Sequence, residues 1–301
     1  MKTELSMSYI KDFEKTYTPD TQKNITRKGT LYLVGTPIGN LSDISERALK
    51  VLNEVDFIAA EDTRVSLKLL NHLGIKKSLV SYYEHNKAFK GDKIVERILA
   101  GETCALVSDA GSPAISDPGE DLVKQCAAAG ITVCAIPGPC AAITALSISG
   151  QATGRFCFEG FLSTSKKSRQ AHLDSLVKEQ RTMIFYEAPH KLVNTLEDMA
   201  DVFGADRPIS LCRELTKLHE EVVRTTIGEA IEKYTENPPK GEFVLVVAGA
   251  PEEEKPAATA DDAAARVAQL MEEGLSRKDA IKRTAIELDL PKNVVYEAAL
   301  K

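Results

Sequence analysis

Four short segments of this 301-residue chain combine polar groups with the small residues that let a ligand come close to the backbone. Ala60-Glu61-Asp62-Thr63-Arg64 sets two adjacent carboxylates and a guanidinium at the end of an apolar run. Such a set can position a polar substrate or accept a proton, and Asp62 or Thr63 can equally well cap a following helix. Val107-Ser108-Asp109-Ala110-Gly111-Ser112-Pro113-Ala114-Ile115-Ser116-Asp117-Pro118-Gly119 supplies N–H donors and hydroxyls around Asp109 on a backbone with little side-chain bulk. Val34-Gly35-Thr36-Pro37-Ile38-Gly39-Asn40 is a turn rich in Gly and Pro. It has neither the G-K-[ST] ending of a phosphate loop nor G-x-G-x-x-G spacing, which disfavours ATP and NAD chemistry. In Ile136-Pro137-Gly138-Pro139-Cys140-Ala141-Ala142-Ile143-Thr144 the small residues precede a helix whose free N–H groups could receive a carboxylate.

These segments need elements to hold them. Residues 31–34, 57–60, 78–82, 104–107 and 131–136 read as buried strands, and residues 45–52, 66–73, 92–99 and 120–129 carry apolar side chains at helical spacing. Strand and helix in alternation with short connections predict right-handed crossovers and a mostly parallel sheet, at whose carboxyl edge ligands bind. A second block follows Gly150, with strands at 156–161, 182–186, 209–212, 221–226 and 243–247 and helices near 169–177 and 192–202. The strands at 209–212 and 221–226 are too close for a helical crossover, so this sheet is expected to be mixed or antiparallel in part.

The expected organisation is an N-terminal tail (1–28), two α/β domains (29–150 and 151–250), a charged, Pro-flanked linker (251–260) and a helical extension (261–301). In the extension Asp261 and Asp262 can cap a first helix, Ser276 a second, and Pro291 opens a third, a pattern shared by a helix-turn-helix unit and a plain bundle.

Hydrophobic residues make up 43% of the chain, enough to give each domain a core, and the formal charge of −6 gives no global basic footprint. Any nucleic-acid contact must come from local patches. Cys104, Cys126, Cys134, Cys140, Cys157 and Cys212 include no C-x-x-C pair and lie in or beside apolar segments, as reduced core cysteines of a cytosolic protein do. Residues 1–28 contain no apolar signal region, and the longest apolar stretch, around 131–148, is interrupted by Pro137, Gly138 and Pro139. A soluble, cytoplasmic protein is expected.

Taken in order, G-T-P-I-G-N-L-S-D-I, A-A-E-D-T-R, V-S-D-A-G-S-P-A-I-S-D-P-G, P-G-P-C-A-A-I-T-A-L-S, F-E-G-F-L, F-Y-E-A-P-H and R-E-L-T-K resemble the tetrapyrrole-methylase superfamily, the class III methyltransferases. Within it they are similar to the bacterial branch that methylates the ribose 2′-hydroxyl of a cytidine in 16S ribosomal RNA. The resemblance covers residues 29–249, and the terminal helices are similar to that branch's extension. It implies a two-domain homodimer with S-adenosylmethionine folded into the cleft between the domains, 16S rRNA or the small ribosomal subunit as partner, and neither metal nor membrane. By position the cofactor would lie against Pro37, Asp109, Ala110, Gly111, Ser112, Pro113, Gly138, Pro139, Cys140, Ala141 and Ala142, with Phe161 and Ala188 from the second domain. Where tetrapyrrole methylases commonly carry a G-D-P-type loop, this chain has Ser108-Asp109-Ala110-Gly111, a departure shared with the ribosomal branch.

For that reaction a sulfonium methyl is already electrophilic, and the enzyme has to hold donor and acceptor in line. A ribose hydroxyl is a poor nucleophile and gains from a positioned base, for which Glu61, Asp62, His85 and Glu214 are candidates. His85, in Tyr82-Tyr83-Glu84-His85-Asn86, belongs to the same expected sheet edge, although lone histidines are more often structural. Arg64, Arg213 and Lys217 could bind phosphate or steady negative charge. Lys166 and Lys167, with Arg169, and Arg277 and Lys278 on the extension could orient RNA through phosphates, while runs of this size also decorate ordinary solvated faces. Two rival readings are a carbon methylase of tetrapyrroles and a metabolite-sensing DNA-binding regulator.

Overall fold

A computed structural model describes residues 25–251 and 258–300. The expected tail lies largely, and the expected linker partly, outside the described residues. The chain forms two units, Met1–Ala250 and Pro251–Lys301.

In the first unit, side-chain alternation along the strands decides the layering. In β1 (Thr30–Val34), β2 (Phe57–Ala60) and β4 (Cys104–Val107), Tyr32, Val34, Ile58, Ala60, Ala105 and Val107 share one buried cluster, while Leu31, Phe57, Ala59, Cys104 and Leu106 share another. A sheet buried on both faces must be sandwiched between helices. Ala48, Val51 and Leu52 of α1 (Glu46–Glu54) and Leu70 of α2 (Thr63–His72) cover the first face. Ile94 and Ile98 of α3 (Lys87–Leu99) and Leu122 and Cys126 of α4 (Gly119–Ala128) cover the second. With β3 (Ser78–Ser81) and β5 (Thr132–Ile136) at its edges, the sheet runs β3-β2-β4-β1-β5 and every pairing is parallel, as the alternation of elements predicted. All five strands therefore deliver their following turns to one edge.

Helix α5 (Ala141–Ser149) leaves β5 but packs on the second sheet, where Ala142, Ala145 and Leu146 bury against Ile184, Cys212, Val244 and Val246. That sheet runs β6-β7-β10-β8-β9, formed by β6 (Phe156–Phe161), β7 (Thr182–Glu187), β8 (Pro208–Arg213), β9 (Glu221–Thr226) and β10 (Phe243–Val247). β6 and β7 are parallel and the other pairings antiparallel, the mixture expected from the short β8–β9 connection. Its other face is covered by α6 (Lys166–Ser175), α7 (Leu192–Phe203) and α8 (Ile227–Glu236) through Leu173, Leu196, Met199, Ile227, Ala230 and Tyr234. α8, absent from the sequence reading, opens with a capping box in which Thr226 and Glu229 satisfy each other's backbone amides.

The second unit is a three-helix cluster of α9 (Ala260–Glu272), α10 (Arg277–Glu287) and α11 (Lys292–Ala298) around Val267, Leu270, Ile281 and Val295. Ser276 caps α10 as expected, whereas α9 is capped by Thr259, with Asp262 reciprocating from the third helical position. Among the described residues no helix is long and apolar enough to cross a membrane.

Candidate active site

At the carboxyl edge of the parallel sheet a cleft of about 390 Å³ opens between the first sheet's turns and the second sheet, a size typical of small-molecule sites. The turn after β1 and the long loop after β4 are laced together. Thr36 and Gly111 exchange both backbone hydrogen bonds (2.9 and 3.0 Å), and the Ser108 hydroxyl donates to the Ala110 and Gly111 carbonyls. Ser112 Oγ donates to the Pro139 carbonyl (3.0 Å), tying in the turn after β5. Gly111 sits at φ +82°, a region glycine enters without steric cost. From the second half, Tyr186 on β7 accepts the amide of Ala142 at the start of α5 (3.2 Å) and packs edge-on against Phe158 and Phe161 (5.1 and 5.3 Å between ring centres). Burial, with Cys140 alongside, pushes the Tyr186 phenol up to about 12.

Carboxylates dominate the cleft's charge. Among the described residues Glu61, Asp109, Asp117, Glu187, Glu214 and Glu242 line it, against a single cation, Lys217. Asp109 Oδ1 accepts the amide of Asp62 (3.0 Å), and Asp117 Oδ1 accepts those of Ala114 and Gly119 (3.0 and 2.7 Å). Burial, then repulsion from Asp109 and Asp117, holds the Glu61 carboxyl above its ordinary value, with the Asp109 amide opposing. Burial also raises Asp117, against the amides of Gly119 and Ala114. Glu187, 4% exposed, accepts the Ala188 amide and the Thr195 hydroxyl (2.8 and 2.6 Å). Lys217 bridges Glu214 and Glu242 (2.8 and 2.9 Å), which lowers Glu214 and keeps the lysine charged despite its burial.

Two strained loops frame the cleft. Ala114 and Ser116 (φ 66° and 61°) lie in one, Glu214 and Thr216 (φ 51° and 65°) in the other. Such conformations cost free energy and persist only where the surroundings fix them, commonly at functional sites. Gly39 makes room for the second loop: a Cβ there would stand 2.4 Å from Lys217 Cγ and 2.8 Å from Thr216 Oγ1.

Of the residues proposed from sequence, Glu61, Asp109, Ala110, Gly111, Ser112, Cys140, Ala141, Phe161, Ala188, Glu214 and Lys217 line this one cleft. Gly138, Pro139 and Ala142 sit just behind it as backbone partners of Gly35, Ser112 and Tyr186. Pro37 and Pro113 belong to the laced turns without lining the space. Asp62 is the N-cap of α2: its carboxylate accepts the Arg64 amide (2.8 Å) and pairs with the Arg64 guanidinium (2.6 Å), which holds it down to about 2. Arg64 is otherwise exposed, and His85 is an exposed residue against Tyr83. Arg213 pairs with Glu221 (3.1 Å) beside the cleft loop. Lys166 and Lys167 are exposed on α6, while their neighbour Arg169 is turned inward onto Asp198 (2.5 Å). Arg277 and Lys278 are exposed in the second unit, where Arg277 also donates to the Ala299 carbonyl.

Asp117, Tyr186 and Glu187 were not singled out from the sequence, though all three fall inside motifs that were. Tyr186 and Glu187 are consecutive on a strand, and both reach the cleft because it opens at the strand's end.

The model of the Tetrapyrrole (Corrin/Porphyrin) Methylases matches residues 30–231. Solved structures agree at the level of the fold. Uroporphyrin-III-C-methyltransferase from Thermus thermophilus superposes with a TM-score of 0.52 at 20% identity over 72% of this chain and 94% of its own. A diphthine synthase gives 0.55 at 15% identity over 73% and 90%. Sequence relatives are far nearer: the ribosomal RNA small subunit methyltransferase I of Synechocystis sp. PCC 6803 is 48% identical over 91% of this chain and 98% of its own. Its Haemophilus influenzae namesake is 47% identical over 90% and 96%. The chain belongs to the tetrapyrrole methylase family and, within it, to the group of small subunit methyltransferase I proteins. It is a methyltransferase whose donor is S-adenosylmethionine. The cleft fits that donor in kind: Ala110, Gly111, Cys140 and Ala141 present little bulk, and Ile38, Phe161, Leu215 and Val244 offer apolar surface.

Proposed function

We propose that this protein methylates the ribose 2′-hydroxyl of a cytidine in 16S ribosomal RNA, acting in the cytoplasm as a homodimer on the small ribosomal subunit. The names carried by its relatives support the RNA substrate. The observation that carries the chemistry is Glu61, a carboxylate in the cleft whose proton affinity is raised and which is not drawn into an ion pair with a described cation.

S-adenosylmethionine, when bound, supplies an electrophilic methyl group. The loops 108–113 and 138–142, with Phe161 and Ala188 opposite, hold it in the cleft. Glu61 then takes the proton of the sugar hydroxyl as oxygen attacks. Among the four candidate bases it suits the task best, since Asp62 is engaged as a helix cap, His85 lies outside the cleft and Glu214 is neutralised by Lys217. A base near its working pH transfers protons most effectively, and burial moves Glu61 in that direction. Lys217, Arg213 and Arg64 stand where they can steer phosphates beside the cleft, and Lys166, Lys167, Arg277 and Lys278 can add phosphate contacts of their own. The two α/β halves, divided near residue 150, serve as donor platform and lid, and the helical unit as an RNA-docking extension.

The test is methyl transfer from labelled donor to small subunits, to naked 16S rRNA and to a uroporphyrinogen, followed by mapping of the labelled nucleotide. Ribose methylation of one cytidine supports the proposal; label on a base or on the tetrapyrrole contradicts it.

A further inference from the structure

Methyl transfer changes the donor's charge. S-adenosylmethionine carries a sulfonium and an ammonium against one carboxylate, and its demethylated product, S-adenosylhomocysteine, has lost the sulfonium charge. The two ligands are otherwise nearly the same shape, so a rigid pocket built only on shape holds product about as firmly as donor.

The cleft is not neutral. Lys217 is shared by two carboxylates, Glu214 and Glu242, and Glu61, Asp109, Asp117 and Glu187 on the rest of the lining form no ion pair with a described cation. Asp109 and Asp117 are oriented by backbone amides at 2.7 to 3.0 Å, and neither forms an ion pair with a described cation, although Arg64, itself paired with Asp62, lies close enough to feel the charge of Asp109. Both belong to the loop after β4, and Asp117 is returned to the cleft by the left-handed residues Ala114 and Ser116. The strain of that loop is thus tied to holding a carboxylate where a plain turn would leave it in solvent. Asp109 is exposed at the open cleft and Asp117 is partly buried; a ligand that fills the cleft displaces the water around both, so a cation that enters meets charge screened less than in bulk water.

We infer that Asp109 and Asp117 read the charge of the bound ligand, so that the cleft retains the cationic donor and releases the uncharged-sulfur product. The inference rests on the reading of the cleft as the donor site. The methyl leaves the sulfonium for the sugar oxygen, the sulfur keeps the bonding pair and becomes a neutral thioether, and the hydroxyl proton passes to Glu61. Release of product follows from loss of the positive charge the two aspartates face. The same wall turns away phosphates, so that a ribose can enter only with its phosphates kept at the rim.

Calorimetric titration of the full chain with three probes tests this: S-adenosylmethionine, S-adenosylhomocysteine, and sinefungin, which bears an amine where the sulfonium stands. Asp109→Asn and Asp117→Asn keep the Oδ1 acceptor for the same amides while removing the charge. Each is expected to weaken S-adenosylmethionine and sinefungin about fivefold or more and to change S-adenosylhomocysteine less than about twofold. Lys217→Met, which adds net negative charge to the cleft, should move the ratio the opposite way. Equal losses for all three probes, or an unchanged ratio in every variant, overturn the inference while leaving the cleft as the donor site. If none of the probes binds wild type, the reading of the cleft itself fails.

Discussion

Gly35 and Gly138 meet backbone to backbone: a Cβ built on either stands 2.9 Å from the Cα of the other. One follows β1 and the other follows β5, so this contact sets how closely the two turns approach behind the cleft. Because the obstacle is main chain, it cannot swing aside. Gly138→Ala should cost about 1–3 kcal/mol of stability through overpacking. It should also weaken donor binding at least about tenfold, since a misplaced site loses contacts it was built to make. Urea unfolding and calorimetry on the same preparation check both.

Glu61→Gln separates proton removal from donor binding. It should lower kcat by about 10²–10⁴ and leave the Kd for S-adenosylhomocysteine, which lacks the sulfonium charge, within about threefold. The pH dependence has a definite sign. Glu61 is raised above its unfolded value, so protonation favours the folded state and that stabilisation is lost as pH rises through the folded pKa. Activity needs the ionised form and should fall on the acid side, while Glu61→Gln should raise the Tm at pH 7 by an amount that shrinks toward pH 4. A pH series of rates and melting curves reads both.

Thr216 is a β-branched residue at φ +65°, and its hydroxyl is buried without a partner. Thr216→Gly removes the strain and the orphan hydroxyl together and should stabilise the protein by about 1 kcal/mol in chemical denaturation. Loss of stability instead would show that the loop's geometry is held by contacts of that side chain.

Removal of residues 251–301 should leave the first unit folded, because its two sheets and their cores lie within Met1–Ala250. Donor affinity should stay within about twofold, because every residue lining the cleft belongs to the first unit. Affinity for rRNA should fall at least about tenfold with a shallower salt dependence, since Arg277, Lys278 and Lys282 go with it. Calorimetry and filter binding across salt concentrations distinguish the two effects.

Much of this architecture is legible in the residues. β2 and β4 are apolar runs of four residues bounded by turns, a length too short for a helix and suited to a strand covered on both faces. The glycine turns were legible for the same reason, since Gly35, Gly111 and Gly138 are where side chains cannot be tolerated or φ is positive. α8 was missed although Thr226 and Glu229 carry the spacing of a capping box, because the segment before it reads as strand to its last residue. Asp117 was missed for a different reason. Its carboxylate reaches the cleft from a loop with left-handed backbone at Ala114 and Ser116, which those residue types do not announce, while it accepts the amides of Ala114 and Gly119. Asp62 is a case the motif left open between proton acceptor and helix cap, and local hydrogen bonding makes it the cap.

The most direct measurement is a crystal structure with S-adenosylhomocysteine bound. The ligand should lie in the cleft between the Asp109–Ser112 loop and Phe161, Tyr186 and Ala188, with Glu61 facing the position of the missing methyl. Density for the ligand at any other surface, with the cleft closed by protein side chains, would contradict the account.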